Sequence, residues 1–116
     1  MKYIIYHNPK CSKSRESLNQ LQESGCDFEI VEYLKDSPDE KQLRELVKKL
    51  KIPAFDLIRK GEAVFKEKYK DKTLTEDECI TAMAENPILI ERPIVVKGNK
   101  AVIGRPIQNI IDLINE

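Results

Sequence analysis

The run Tyr3-Ile4-Ile5-Tyr6 reads as a short buried strand, and the pattern of the next thirty residues limits the fold more than any other feature of the chain. Ser12 to Glu23 carries Leu18 and Leu21 at helical spacing and is bounded by Gly25, so a helix succeeds the strand almost at once. Phe28-Glu29-Ile30-Val31-Glu32-Tyr33 then mixes apolar and acidic residues, as a half-buried second strand does. A β-α-β opening of this kind implies a parallel strand pair with the helix as its crossover.

Further along, Ser37-Pro38-Asp39-Glu40 is read as a helix start, with Ser37 as cap, a first-turn proline and an acid at the third helical position. Leu43, Leu46, Val47 and Leu50 form the buried stripe of that helix. Phe55, Leu57 and Ile58 suggest a short helix before Arg59-Lys60-Gly61, and Val64, Phe65 and Tyr69 a further turn or two. Thr75-Glu76-Asp77-Glu78 is a capping box that opens a helix ending at Asn86-Pro87. Ile94-Val95-Val96-Lys97 and Ala101-Val102-Ile103 flank Gly98-Asn99 and so predict an antiparallel hairpin. Pro106 is expected at the first position of a closing helix whose face carries Ile107, Ile110, Ile111 and Ile114.

The order is therefore β-α-β, then helices, then β-β-α. This is the order of an α/β, thioredoxin-like fold: a sheet of about four strands with an all-helical insert, at about residues 38–87, between its halves. One domain is expected over residues 1–116, a length that needs neither disulfides nor metal to hold a core. In that fold a proline opens the third strand beside the active-site cysteine. Pro93 in Glu91-Arg92-Pro93-Ile94 occupies that place, so a cis bond at Arg92-Pro93 is expected.

Lys+Arg and Asp+Glu both number 20, so the net charge is zero and no basic domain is available for nucleic acid. No apolar run approaches a membrane span, and the amino terminus lacks the layout of a signal peptide, so a cytoplasmic protein is expected. The three cysteines are then read as reduced thiols rather than a disulfide framework. Metal ligation is disfavoured, because the only histidine, His7, has no second Cys or His at ligand spacing beyond Cys11.

Chemistry concentrates on Cys11, in Tyr6-His7-Asn8-Pro9-Lys10-Cys11-Ser12-Lys13-Ser14-Arg15 at the junction of the first strand and first helix. Unpaired N–H groups and the positive end of the helix dipole favour thiolate over thiol there, and Lys10, Lys13 and Arg15 add positive charge nearby. A reactive thiolate near neutral pH is expected. The residue three beyond Cys11 is Ser14, so the two-cysteine redox motif is absent and an external thiol must resolve any intermediate. Cys26 is separated from Cys11 by roughly 18 Å of helix, at about 1.5 Å per residue, beyond disulfide reach. Cys26 and Cys79 are read as packing residues. The interval from Cys11 to Arg15 is also too short for the loop with which low-molecular-weight phosphatases encircle an oxyanion.

His7-Asn8-Pro9-Lys10-Cys11-Ser12-Lys13-Ser14-Arg15, Leu57-Ile58-Arg59-Lys60, Asn86 to Val96 and Gly104-Arg105-Pro106 together resemble the ArsC family, the glutaredoxin-coupled arsenate reductases. The resemblance covers nearly the whole chain. It implies that Cys11 is the catalytic cysteine, that Arg59, Arg92 and Arg105 hold the arsenate oxyanion, and that His7, Ser14, Arg15 and Pro93 support the site. It further implies that Cys11 forms a thioarsenate adduct, with glutathione as reducing co-substrate and a glutaredoxin as partner, and no bound cofactor. Guanidinium suits this task, since its planar fork grips tetrahedral oxyanions in a way lysine cannot reproduce. Two alternatives come from other classes: a glutathione-dependent thiol-disulfide oxidoreductase, and an Spx-like regulator that binds RNA polymerase. Arg105 argues against the first, and Ser14, where the regulators carry cysteine, against the second.

Overall fold

A computed structural model describes residues 2–116, and the chain divides into two compact units. In chain order the elements are β1 (Tyr3–Tyr6), α1 (Ser12–Ser24), β2 (Phe28–Val31), α2 (Glu40–Leu50), α3 (Ala54–Leu57), α4 (Ala63–Lys68), α5 (Glu76–Glu85), a 3-10 turn (Pro87–Leu89), β3 (Ile94–Lys97), β4 (Lys100–Ile103) and α6 (Gln108–Ile114). The first unit contains everything up to Asp36 and from Arg92 onward; the second is Ser37–Glu91.

The first unit is a four-stranded sheet in the order β2-β1-β3-β4. β1 runs parallel to β2, with Tyr3 opposite Phe28, and antiparallel to β3, with Ile5 opposite Val95. β3 and β4 form the expected antiparallel hairpin. With α1 and α6 added, this is the thioredoxin-like arrangement. α1 forms because Ser12–Ser24 holds no glycine, proline or β-branched residue, and it stops where Gly25 turns left-handed at φ 75°. Alternation along β1 sends Tyr3 and Ile5 to one face, where they pack with Leu21 of α1, Val95 of β3, and Ile110 and Leu113 of α6. Leu21, Ile5, Val95 and Ile110 are fully buried, each contributing about 1.5–3 kcal/mol of transfer free energy.

Two expectations are corrected in this unit. β2 ends at Val31 rather than Tyr33, because the Glu32 carbonyl accepts the N–H groups of both Lys35 and Asp36 at 2.9 Å and so closes a turn instead of a ladder. α6 begins at Gln108, not Pro106: the Arg105-Pro106 peptide is cis, and the Pro106 carbonyl accepts the Asn109 N–H at 3.1 Å in a tight entry turn. The fully buried residues of α6 are Ile110 and Leu113, one turn apart, while Ile107, Ile111 and Ile114 are half-buried.

The second unit is helical apart from one antiparallel bridge between Ile58 and Ile90. That bridge is bracketed by Arg59 N–H donating to the Leu89 carbonyl at 2.7 Å and Glu91 N–H donating to the Leu57 carbonyl at 2.8 Å. Leu43, Leu46 and Val47 of α2 are buried, as are Leu57, Ile80, Met83 and Leu89; Leu50 is only half-buried. The cap of α2 is Asp39, not Ser37. The Asp39 carboxylate accepts the Gln42 N–H at 2.8 Å while the Gln42 side chain accepts the Asp39 N–H at 2.9 Å, which leaves Pro38 outside the helix. Thr75 and Glu78 make the reciprocal pair expected at the start of α5.

Candidate active site

Cys11 is the residue that caps α1, with extended φ and ψ, so the N–H groups of the first turn are presented to its sulfur. The loop before it is pinned by its own backbone and by Asn8. Cys11 N–H donates to the Asn8 carbonyl at 3.0 Å, Lys10 N–H donates to Asn8 Oδ1 at 3.0 Å, and Asn8 N–H donates to Ser14 Oγ at 3.0 Å. Ser14 is fully buried beneath this loop, and its hydroxyl lies 2.6 Å from His7 Nδ1. The hydroxyl can donate to Nδ1 of a neutral ring protonated on Nε2.

His7 is therefore engaged with Ser14. Burial lowers the imidazole pKa below its ordinary value; the attraction of Glu32 opposes that shift and repulsion from Arg15 adds to it. Arg15 itself turns to the loop, its Nη1 donating to the Pro9 carbonyl at 3.0 Å.

Two arginines from distant parts of the first unit reach the sulfur. Arg105 Nη2 donates to Cys11 Sγ at 3.4 Å, and its Nε donates to the Arg92 carbonyl at 2.7 Å. Arg92 hydrogen-bonds the sulfur with its side chain as well as attracting it by charge. Burial is the largest influence on the Cys11 thiol and works to raise its pKa. The N–H of Ser14, the Arg92 side chain and the N–H of Lys13 together outweigh it, so the pKa lies below that of an ordinary thiol. Arg92 thus supplies the dominant side-chain charge.

Pro93 opens β3, is buried and follows a cis peptide bond from Arg92. Its carbonyl accepts the Gly104 N–H at 2.8 Å. Gly104 is where β4, α6 and α1 converge: a Cβ there would stand 2.5 Å from Ile110 Cδ1, 2.8 Å from Pro93 Cγ and 2.9 Å from Ser17 Oγ.

Cys11, Arg92, Arg105, His7, Ser14, Arg15 and Pro93 are thus brought together in one unit. Arg59 belongs to the second unit, where Glu62 and Glu91 each lie 3.5 Å from its guanidinium. Cys26 is half-buried against the core, its thiol beside Ser24 Oγ at 3.1 Å and the Leu21 carbonyl at 3.6 Å. Cys79 is buried, and desolvation, reinforced by Glu76 and Glu78, pushes its thiol pKa up. Sequence reasoning passed over Asn8 and Gly104. For Asn8 a signal existed, since an asparagine shortly before a helix start readily forms an Asx turn. Nothing local marks Gly104.

Among the described residues no cluster of His, Cys, Asp and Glu could hold a metal ion, and no helix is long and apolar enough to cross a membrane. The chain matches a family model described as ArsC family over residues 6–113. It is 47% identical over 112 residues to the uncharacterized protein YfgD of Escherichia coli, covering 95% of this chain and 94% of that one. It is 42% identical over 108 residues to an arsenate reductase of Neisseria meningitidis, covering 91% and 92% of the two chains. Among solved structures, the arsenate reductase from Vibrio cholerae is similar, at 41% identity, 97% coverage of each chain and a TM-score of 0.91.

Proposed function

The chain belongs to the ArsC family, and on that premise we propose that it reduces arsenate to arsenite through a covalent adduct on Cys11, with glutathione and a glutaredoxin supplying the electrons. The observation that carries this reading is the pair of arginines gathered on a thiol whose pKa is lowered. A tetrahedral dianion needs both a nucleophile and fixed positive charge, and Arg92 and Arg105 meet at the sulfur that would attack.

In the first step the thiolate sulfur bonds to arsenic(V), and one oxygen of hydrogen arsenate leaves as water after taking up protons. In the second, the thiolate of glutathione attacks the Cys11 sulfur. The sulfur–arsenic bond breaks, its electron pair stays on arsenic, and arsenite departs as arsenic(III), leaving Cys11 in a mixed disulfide with glutathione. A glutaredoxin thiol then takes the glutathionyl group and frees Cys11. The external route follows from Ser14, which leaves no second thiol three residues on to close an internal disulfide. The family resemblance also gives Arg59 a part in holding the anion; Arg59→Ala tests it by raising the KM for arsenate or leaving it unchanged.

A coupled assay tests the whole proposal: NADPH oxidation with glutathione, glutathione reductase, glutaredoxin and arsenate, with Cys11→Ser alongside. Arsenate-dependent turnover that vanishes in Cys11→Ser is the expected result. Turnover with a model disulfide and none with arsenate would assign a thiol-disulfide oxidoreductase instead.

A further inference from the structure

Arg105 lies in the short link Gly104-Arg105-Pro106-Ile107 between β4 and α6, and its guanidinium makes two contacts that demand accurate placement: Nη2 on the Cys11 sulfur at 3.4 Å and Nε on the Arg92 carbonyl at 2.7 Å. The side chain is long and its residue is exposed, so the backbone beneath it must be fixed if those contacts are to persist. One half-buried side chain reaches that backbone. Asn109 Nδ2 donates to the Ile103 carbonyl at 2.9 Å and lies 3.5 Å from the Arg105 carbonyl, while the Asn109 N–H donates to the Pro106 carbonyl at 3.1 Å. The side-chain amide thereby joins the end of β4 to the arginine, while the main-chain N–H of the same residue closes the turn before α6.

We propose that Asn109 is a positioning residue for Arg105: its side-chain amide holds the Ile103 carbonyl just before the link and lies against the Arg105 carbonyl within it, and so registers the guanidinium on the Cys11 sulfur. This rests on the reading of Arg105 as a partner of the Cys11 thiolate. Asn109 touches neither sulfur nor substrate, and acts only through the backbone it holds. An aliphatic residue in its place leaves the Ile103 carbonyl without this donor and the link free to shift. Displacing a charged donor from 3.4 Å by even about an ångström takes it out of hydrogen-bonding range of the sulfur.

The test is the pH dependence of Cys11 alkylation by iodoacetamide, followed at the Cys11 peptide by mass spectrometry, in four proteins: the parent chain, Asn109→Ala, Arg105→Ala and the double variant. Asn109→Ala is expected to move the midpoint upward and, on the limb below the midpoint where the rate follows the thiolate fraction, to slow alkylation by about threefold to tenfold, one pKa unit being tenfold. In the Arg105→Ala background the same change is expected to move nothing further, since the two residues act as a unit. An unmoved midpoint in Asn109→Ala, or an equal shift in both backgrounds, overturns the proposal. Should Asn109→Ala lose its helical circular dichroism, Asn109→Leu, which fills a similar space without a donor, carries the same comparison. Alkylation needs neither arsenate nor a reductant, so this result stands apart from the arsenate assay.

Discussion

Replacing Gly104 by alanine adds one methyl group at the point where β4 gives way to the Arg105 link. That methyl would meet Ile110 Cδ1 at 2.5 Å, Pro93 Cγ at 2.8 Å and Ser17 Oγ at 2.9 Å. None of the three yields easily. Ile110 is fully buried in the core of its unit, the Pro93 ring is buried at the start of β3, and the buried Ser17 hydroxyl donates to the Lys13 carbonyl at 3.0 Å. Overpacking of this kind costs about 1–3 kcal/mol, offset by roughly 0.4–1 kcal/mol from the smaller entropy of an unfolded chain with alanine. A net loss of about 1–2 kcal/mol corresponds to a fall in Tm of roughly 4–8 °C for a chain of this size.

Thermal unfolding followed by circular dichroism measures this, with Gly61→Ala as the control. No atom lies within 4 Å of a Cβ at Gly61, so its Tm is expected to hold or rise slightly. A Gly104→Ala protein melting within a degree of Gly61→Ala would refute the packing argument. The same variant reads the site, because the strain must be relieved by moving the α6 entry, Pro93 or α1, and Arg105 is the next residue. The midpoint of Cys11 alkylation is therefore expected to rise together with the loss of Tm, and a lower Tm with an unmoved midpoint would confine Gly104 to packing.

Ser14→Ala removes the hydroxyl shared by His7 Nδ1 and the Asn8 N–H, so it is expected to lower stability by about 1–3 kcal/mol in denaturant titration, while alkylation stays fast because Ser14 lowers the thiol pKa through its main-chain N–H. His7 has a depressed pKa, so below about 6.5 the unfolded chain takes up a proton before the folded one; stability should fall as pH drops from that value toward the folded pKa, with a shallower slope in His7→Gln. Lys10→Ser/Lys13→Ser should leave the alkylation midpoint within a few tenths of a unit, and so should raising salt from about 0.05 to 0.5 M, since screening acts on exposed charges rather than on N–H groups and an arginine in contact with the sulfur.

The element order was legible because its signals are local: apolar runs, helical spacing, capping pairs and turn residues act over a few positions each. Where two local signals compete, the order survives and the boundary slips. Ser37 and Asp39 are both capping residue types, and a proline after the first favours it. Asp39 wins because Gln42 stands three residues on and returns the hydrogen bond, whereas the residue three beyond Ser37 is Glu40, whose carboxylate is instead 3.3 Å from the Thr81 hydroxyl and 3.8 Å from Arg44. Pro106 shows the same limit. A proline before an apolar helical run ordinarily occupies the first turn, yet here the Pro106 carbonyl accepts the Asn109 N–H in a further turn before α6 begins.

The site was legible to the same depth. Cys11 at a helix start can be read from sequence because the N–H groups that favour its thiolate are its own neighbours. The source of the remaining charge cannot, since adjacency in the chain pointed to Lys10, Lys13 and Arg15, while the guanidinium groups on the sulfur come from the ends of β3 and β4, Arg105 lying 94 positions away. Arg15, the nearest arginine, is occupied by the Pro9 carbonyl. The family blocks, and the place of each arginine before a proline read as the start of an element, pointed to Arg92 and Arg105. This division has a thermodynamic consequence: an ionised Cys11 depends on contacts that exist only in the folded chain. With the folded pKa below the unfolded one, the unfolded protein binds a proton that the folded protein does not across the interval between them. The thiolate's contribution to stability therefore grows as pH rises through that interval and is lost as pH falls through the folded value, so the same protonation that silences the nucleophile removes the stability that its contacts with Arg92 and Arg105 add.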